Sequence, residues 1–206
     1  MAPYGHMIRA IILAAGQSTR MGRAKAGLPV ADGGPTFAAA IVATLQAAGL
    51  PDITVVSGAH PEEVSAAVRG LAGVRVVHHA GWQAGQLSSL VAGLDAVDTP
   101  ALEAVLVTLV DIPLVRRETV ETLVQAWRES RAAIVRPAVG ARHGHPVIFD
   151  RVTFAALREA PAHVGAKAVI TAWQAQVLNV PTDDPGVLVD VDTPHEYDAL
   201  RRDGAS

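Results

Sequence analysis

Three basic side chains and two glycines lie in one loop directly after the first apolar run of the sequence. The run Ile8–Leu13 is rich in isoleucine, which is typical of a buried parallel strand. Residues 14–16, Ala-Ala-Gly, are small and let a ligand approach the backbone closely. Arg20, Arg23 and Lys25 follow in the same loop. A basic, glycine-bearing loop after a first strand is where open α/β sheets bind phosphate groups.

Two familiar phosphate-binding motifs do not fit this loop. A Walker loop has four residues between its glycines and a lysine directly after the second glycine, whereas five residues separate Gly16 from Gly22 and Lys25 comes later. The dinucleotide fingerprint G-x-G-x-x-G also fails, because Ser18 stands where its second glycine belongs. We therefore expect backbone N–H groups near Gly16 and side-chain cations further along to hold phosphates in another arrangement.

Aspartates after two later apolar runs are candidates for binding a divalent cation. Asp111 follows the continuous apolar run Val105–Val110, so we expect its carboxylate in the crevice at the carboxyl end of that strand. Asp190 and Asp192 flank Val191 at the end of a late predicted strand, and alternation places both carboxylates on the same side. Aspartates at such positions also form turns or cap helices. Mg²⁺ is typically held by one or two carboxylates together with substrate phosphates.

Apolar runs of strand length alternate with helical patterns along the chain. The predicted strands are Ile8–Leu13, Ile53–Ser57, Val74–Val77, Val105–Val110, Ala133–Val135, Val147–Phe149, Val177–Val180 and Val187–Val189. The predicted helices are one capped by Thr36 that ends at Ala48, Pro61–Val68, one capped by Ser88 or Ser89 that ends near Val97, Glu118–Ser130, Phe154–Leu157, Lys167–Trp173 and one over Pro194–Leu200. This alternation predicts an α/β fold with a mostly parallel sheet and helices on both faces. We expect a single domain over residues 1–206, with residues 1–7 disordered or a cloning remnant.

Composition excludes several classes of function. The chain has 206 residues and a formal net charge of −3, which offers no electrostatic case for binding nucleic acid. It has no cysteine, which excludes disulfides, zinc-thiolate sites and cysteine nucleophiles. No apolar run is long enough to span a membrane, and the start of the chain lacks the layout of a signal peptide. We therefore expect a cytoplasmic protein without nucleic-acid or membrane partners.

Residues 13–25 read Leu-Ala-Ala-Gly-x-Ser-x-Arg-Met-Gly-x-x-Lys. This run resembles the signature loop of the molybdenum-cofactor nucleotidyltransferases, within the wider nucleotidyltransferase superfamily. The Asp-x-Pro that starts at Asp111 resembles the metal-binding aspartate motif of that family, and Asp190–Pro194 resembles its Asp-x-Asp-Thr-Pro sequence. The resemblance extends from Ile8 to about Leu200. It implies a Rossmann-like three-layer sandwich of the nucleotide-diphospho-sugar transferase type.

The resemblance also implies roles for individual residues. Arg20 and Lys25 are expected to neutralise a triphosphate, and Asp111 and Asp192 to hold Mg²⁺; these four form the implied catalytic set. Because Asp32 is the sole acidic residue among the first fifty, we expect Arg20 and Lys25 to face the triphosphate rather than local carboxylates. The expected nucleotide-binding residues are Leu13, Ala14, Ala15, Gly16, Arg20, Lys25, Ser57, Gly58, Gly85, Ser88 and Asp111.

Two further segments bear on the acceptor of the transfer. Gly144-His145-Pro146 resembles a Gly-His-Pro motif of the cytidylyltransferase branch and is expected to line an acceptor pocket, although a structural turn explains it equally well. Residues 162–166 stand where many relatives carry Gly-Asp-x-Gly-Ala, and this chain has His163 in place of the aspartate. The identity of the acceptor therefore stays open.

The resemblance implies an enzyme that moves CMP from CTP to molybdopterin with Mg²⁺ as cofactor and releases pyrophosphate. Ala15 stands where the guanylyl branch has glycine, and its methyl group narrows the space for the base, which favours cytosine. The alternatives are GTP-dependent guanylyl transfer and transfer to another small phosphate, such as a sugar or methylerythritol phosphate. A non-catalytic nucleotide- or cofactor-binding chaperone is a third alternative, although such a protein need not keep two metal carboxylates. A transient contact with a molybdoenzyme is also implied.

Overall fold

The strands of the computed structural model, which describes residues 7–203, form one sheet that places the carboxyl ends of its parallel strands at a common edge. The eight strands of this region are β1 (Met7–Ala14), β2 (Ile53–Ser57), β3 (Val74–His78), β4 (Leu102–Leu109), β5 (Ile134–Val139), β6 (Arg142–His143), β7 (Val147–Asp150) and β8 (Val177–Pro181). Their order across the sheet is β3-β2-β1-β4-β7-β5-β6, and β8 pairs with β5. β1 is parallel to both β2 and β4, whereas β7 runs antiparallel to β4 and β5.

Helices cover both faces of this sheet. They are α1 (Phe37–Ala47), α2 (Pro61–Ala67), α3 (Gln86–Val97), α4 (Arg117–Ser130), α5 (Phe154–Glu159), α6 (Ala166–Ala172) and α7 (Pro194–Asp203). Successive residues of β1 point to opposite faces, so Ile12 packs in a core with α1, α2, α4 and α7 while Ile11 packs in a second core with α3, α5 and α6. The predicted three-layer α/β architecture with a mostly parallel sheet is confirmed.

Most predicted elements are confirmed to within a few residues, and the predicted cap of α1 is confirmed as well. The backbone N–H of Ala39 donates to the Thr36 hydroxyl at 3.2 Å, which satisfies one of the free donors in the first turn of the helix. At the other end Gly49 adopts a φ of +83°, the left-handed conformation that ends many helices.

Two predicted elements are wrong. Neither Ser88 nor Ser89 caps α3, because the helix already begins at Gln86 and the Ser88 hydroxyl donates back to the carbonyl of Gly85 at 2.7 Å. The predicted strand Val187–Val189 is instead a short 3₁₀ helix over Pro185–Leu188. The Asp184 carboxylate accepts from the N–H of Gly186 at 2.9 Å and so bends the chain before a strand can form.

Met7, which fell within the predicted remnant, is the first residue of β1, and residues 1–6 lie outside the described region. Within the described region no helix is long and apolar enough to cross a membrane.

Candidate functional site

The loop after β1 folds back so that its basic residues face the carboxyl edge of the sheet. The N–H groups of Met21 and Gly22 both donate to the carbonyl of Ser18, at 3.0 and 2.9 Å, which makes a tight turn. Gly22 has a φ of +74°, a conformation that few other residues adopt. The buried Met21 anchors this turn in the core, and the chain then enters a short 3₁₀ helix that begins at Lys25.

The Lys25 ammonium lies between the two aspartates that the sequence singled out. Its Nζ donates to Oδ2 of Asp111 at 2.9 Å and also to Oδ1 of Asp192 in a short hydrogen bond. The Lys25 side chain is only 7% exposed. Because both carboxylates reach one nitrogen atom, they are close enough to share one small cation.

Backbone contacts hold the second aspartate against the first. The N–H of Val191 donates to the carbonyl of Asp111 at 2.9 Å, and Val191 itself is buried. The Glu196 carboxylate in the first turn of α7 accepts from the N–H groups of Asp192 and Thr193, at 2.9 and 2.8 Å. The N-terminal turn of α7 therefore fixes the backbone that presents the Asp192 carboxylate to Lys25.

Arg20 completes a compact group of two cations and two anions. Its Nη2 donates to Oδ2 of Asp192 at 2.5 Å, while most of the arginine side chain stays exposed. The pKa of Asp192 is held below its usual range, because Lys25 donates a hydrogen bond to it and both basic groups favour the charged form. The expectation that Arg20 and Lys25 act on a triphosphate rather than on local carboxylates stays a prediction, and in the structure both residues pair with aspartates from segments far away in sequence.

One carboxylate oxygen of this group has room for a further partner. Oδ1 of Asp111 is buried and accepts no hydrogen bond from the described residues. A buried oxygen without a partner is costly unless a donor or a metal ion approaches it. Oxygen atoms of Asp111 and Asp192 suit a hard cation such as Mg²⁺ or Mn²⁺, so the residues present fit the expected metal. No group of three or more metal-ligating side chains exists among the described residues, so phosphate and water oxygens would have to complete the coordination shell.

A cavity of about 430 Å³ opens beside this ionic group. It brings together most of the residues that the sequence predicted to bind the nucleotide. Those that line it are Leu13, Ala14, Ala15, Gly16, Arg20, Lys25, Gly85 and Asp111, and the predicted metal ligand Asp192 lines it as well. The volume is in the range of known small-molecule sites.

Three residues predicted to bind the nucleotide do not line this cavity. Ser57 is fully buried at the end of β2, and Ser88 is used within its own turn. Gly58 lies behind the cavity wall, because a Cβ atom there would come within 2.8 Å of the Ala15 methyl group and 2.7 Å of Cβ of Trp82. Gly58 thus supports the wall by leaving room for these two side chains.

Several lining residues are not among those predicted to bind the nucleotide. They are Ser18, Thr19, Ala24, Ala26, His60, Val64, Trp82, Gln83, Gln86, Ser89, Leu109 and Val110. For His60 the fold supplies the reason, since its Nε2 is 2.9 Å from the carbonyl oxygen of Gln17 and the ring therefore lies against the loop after β1. Gln86 follows directly after Gly85, which was predicted to bind the nucleotide, so its place in the cavity wall could have been predicted from its position in the sequence.

Gly144 and His145 lie in a neighbouring cavity of about 290 Å³ that shares Leu13, Gln86 and Leu109 with the first. Gly144 is needed for packing, because a Cβ atom there would come within 1.9 Å of the Val187 carbonyl oxygen. Burial lowers the pKa of His145, against smaller opposing contributions from the Val107 carbonyl and the Asp111 charge. His145 is therefore a neutral imidazole at pH 7.

Comparison with known proteins identifies relatives of this chain. The model of the family described as MobA-like NTP transferase domain matches residues 10–178. A probable molybdenum cofactor guanylyltransferase from Mycobacterium avium is 32% identical over 134 residues, which cover 65% of this chain and 64% of that protein. This chain therefore matches less than two thirds of that relative's length.

Solved structures resemble the whole fold. The protein Rv0371c from Mycobacterium tuberculosis superposes with a TM-score of 0.81 at 27% identity, over 96% of this chain and 98% of the other. A structure of Rv0371c in complex with manganese gives a TM-score of 0.71 at 26% identity, over 95% and 98% of the two chains. The predicted nucleotidyltransferase type of fold is confirmed, because the family model that matches residues 10–178 is that of an NTP transferase domain.

We predict that Lys25→Met destabilises the protein in a way that a divalent cation reverses in part. Without the ammonium, two carboxylates face each other in a half-buried site, so the free energy of unfolding in EDTA should fall by about 2 kcal/mol. Mn²⁺ should recover much of this loss, because it can bind both carboxylates. Urea unfolding at pH 7, with EDTA or with Mn²⁺, measures both effects.

Arg23→Met is the matched control, since Arg23 belongs to the same loop but lies over the Tyr197 ring, 5.6 Å from its centroid. Its stability should depend on Mn²⁺ as that of the wild type does. A Lys25→Met protein as stable as the wild type in EDTA would contradict the assignment.

Proposed function

The chain belongs to the MobA-like NTP transferase domain family, and from this membership and the geometry of the site we propose that it transfers a nucleoside monophosphate to the phosphate of molybdopterin. The observation that carries the proposal is the Lys25 ammonium shared by Asp111 and Asp192 at the edge of a cavity of nucleotide size. A protein that only binds a nucleotide does not need two carboxylates that are close enough to hold one metal ion.

The reaction exchanges one phosphoanhydride bond for another. An oxygen of the acceptor phosphate attacks the α-phosphorus of the triphosphate, and a new P–O bond forms. The bond between the α-phosphorus and the oxygen that bridges to the β-phosphate breaks, and pyrophosphate leaves with the electron pair. The attacking phosphate is already ionised at pH 7, so the step requires alignment and charge neutralisation more than a general base.

The residues of the site supply that neutralisation. Arg20 and Lys25 have hydrogen-bond donors at the cavity wall, and with a triphosphate present they can donate to its oxygens instead of to carboxylates. Asp111 and Asp192 would then hold the metal ion, which when bound neutralises charge that develops on the phosphate oxygens. A divalent cation is supported by the manganese complex of Rv0371c, a protein of similar fold that is 26% identical to this chain.

The name of the M. avium relative, a probable molybdenum cofactor guanylyltransferase, supports molybdopterin as the acceptor and GTP as the donor. A local observation supports CTP instead. Ala15 is among the residues that line the cavity, and its methyl group lies against Gly58. We propose CTP as the preferred donor because this argument rests on residues of this chain, and GTP is the second candidate.

We predict that Asp111→Asn and Asp192→Asn each lower kcat at least about a hundredfold, because each removes a charge that the metal requires. Pyrophosphate release with Mg²⁺, CTP or GTP, and purified molybdopterin is the measurement. Asp190→Asn is the matched control, since Asp190 is exposed and does not line the cavity, and it should keep near wild-type turnover. Full activity of either the Asp111 or the Asp192 variant would remove these residues from the mechanism.

We predict that the wild type prefers CTP to GTP and that Ala15→Gly relaxes this preference, because loss of the methyl group widens the space for the base. The two triphosphates compete at equal concentration for a limiting amount of molybdopterin, and the products are separated by chromatography. Predominantly guanylylated product from the wild type would reject CTP in favour of GTP and leave the transfer reaction itself standing.

A further inference from the structure

The cavity that contains His145 has an apolar floor and basic groups at its outer end. Its floor includes Val107 and Phe149 of neighbouring strands and Leu90 of α3. At the outer end lie Arg136 on β5 and Lys167 on α6. No aspartate or glutamate of the described region lines this cavity. A largely apolar cavity with uncompensated cations favours a ligand that has an apolar body and an anionic group.

Arg136 is positioned to bind such an anion. Its Nε donates to Oδ1 of Asn179 at 2.7 Å, and Asn179 is the residue opposite it on β8. This hydrogen bond fixes the guanidinium while its two terminal nitrogens remain available for a forked contact with an anion. Burial lowers the pKa of Arg136, because the charged guanidinium is partly removed from water.

The second basic group lines the same cavity. Lys167 is exposed in the first turn of α6, and its ammonium makes no ion pair or hydrogen bond within residues 7–203. His143 on β6 also lines the cavity, and burial together with the Arg136 charge lowers its pKa, so it is a neutral hydrogen-bonding group at pH 7. An arginine, a lysine and an imidazole thus line the same cavity.

This end of the cavity is too far from Asp111 for one phosphate to contact both. β5 is separated from β4 by β7, so Arg136 lies two strand spacings, or about 10 Å, from the strand that leads to Asp111. Val135 pairs with Ile148, and Ile148 pairs with Leu106, so Val135 and Leu106 are at the same level of the sheet. Arg136 is therefore level with Val107, which precedes Asp111 by four residues, or about 13 Å along the strand. The acceptor phosphate must reach the α-phosphorus beside Asp111, so the basic end is left for another group.

We propose that Arg136 and Lys167 form a subsite for a second anionic group of the acceptor, joined to its reacting phosphate by an apolar or aromatic body. This inference rests on the proposed transfer to an acceptor phosphate and specifies the class of acceptor. It also explains why the two cavities share Leu13, Gln86 and Leu109, since one acceptor extends from the first cavity into the second.

Phenyl phosphate is a suitable probe, because it joins an aromatic ring to an anion and undergoes no transfer in the absence of a nucleotide. In ¹⁵N-labelled protein it should shift the amide signals of Gly144 and Gly165, which line this cavity. Loss of a charge-assisted contact in Arg136→Met or Lys167→Met should weaken its binding about tenfold. Arg142→Met is the matched control, since Arg142 is an exposed arginine on β6 that does not line the cavity, and it should bind the probe as the wild type does.

Equal dissociation constants for the Arg136 and Arg142 variants, or shifts confined to residues 16–25, would overturn the subsite. With molybdopterin as acceptor, Arg136→Met should raise KM for molybdopterin about tenfold and leave KM for the triphosphate unchanged. If the wild type transfers nothing to molybdopterin, the proposed function fails, while the phenyl phosphate titration still decides on the subsite.

Discussion

Two carboxylates held together at one edge of a sheet need a cation between them, and in this protein Lys25 supplies it. Asp111 and Asp192 both accept hydrogen bonds from its buried ammonium, and Arg20 adds a second positive charge at Asp192. Two carboxylates that both contact one ammonium repel each other strongly when water is partly excluded. This part of the fold therefore depends on the loop after β1, which places Arg20 and Lys25 beside the two aspartates.

The same arrangement explains how metal and nucleotide can depend on each other. In the structure the basic side chains occupy the carboxylates that a metal ion would bind. In the proposed function, a triphosphate would offer Arg20 and Lys25 new anionic partners and would free Asp111 and Asp192 for the cation. Neither ligand alone satisfies all four charged groups, so we expect the two to bind cooperatively.

The sequence predicted the components of the site better than their contacts. Asp111 and Asp192 follow apolar runs, and a parallel sheet brings such ends to one edge, so their proximity could be predicted. The pairing of Lys25 with them could not, because its partners lie 86 and 167 residues away along the chain. Gly58 was expected to bind the nucleotide, but its role depends on the side chain of Trp82, which no local pattern reveals. The missed 3₁₀ helix at Pro185–Leu188 has a similar cause, since the buried Asp184 carboxylate also accepts hydrogen bonds from the Thr119 hydroxyl of α4 and from the N–H of Arg116 just before that helix.

The exchange of partners at Lys25 is tested most directly by the affinity for Mn²⁺, measured by calorimetry with and without CTP. Saturating CTP should tighten Mn²⁺ binding to the wild type at least about tenfold, the size of a typical coupling between sites. In Lys25→Met the ion should bind more tightly than in the wild type when CTP is absent, because no ammonium competes for the carboxylates. Mn²⁺ binding that is no tighter in Lys25→Met than in the wild type would contradict the exchange.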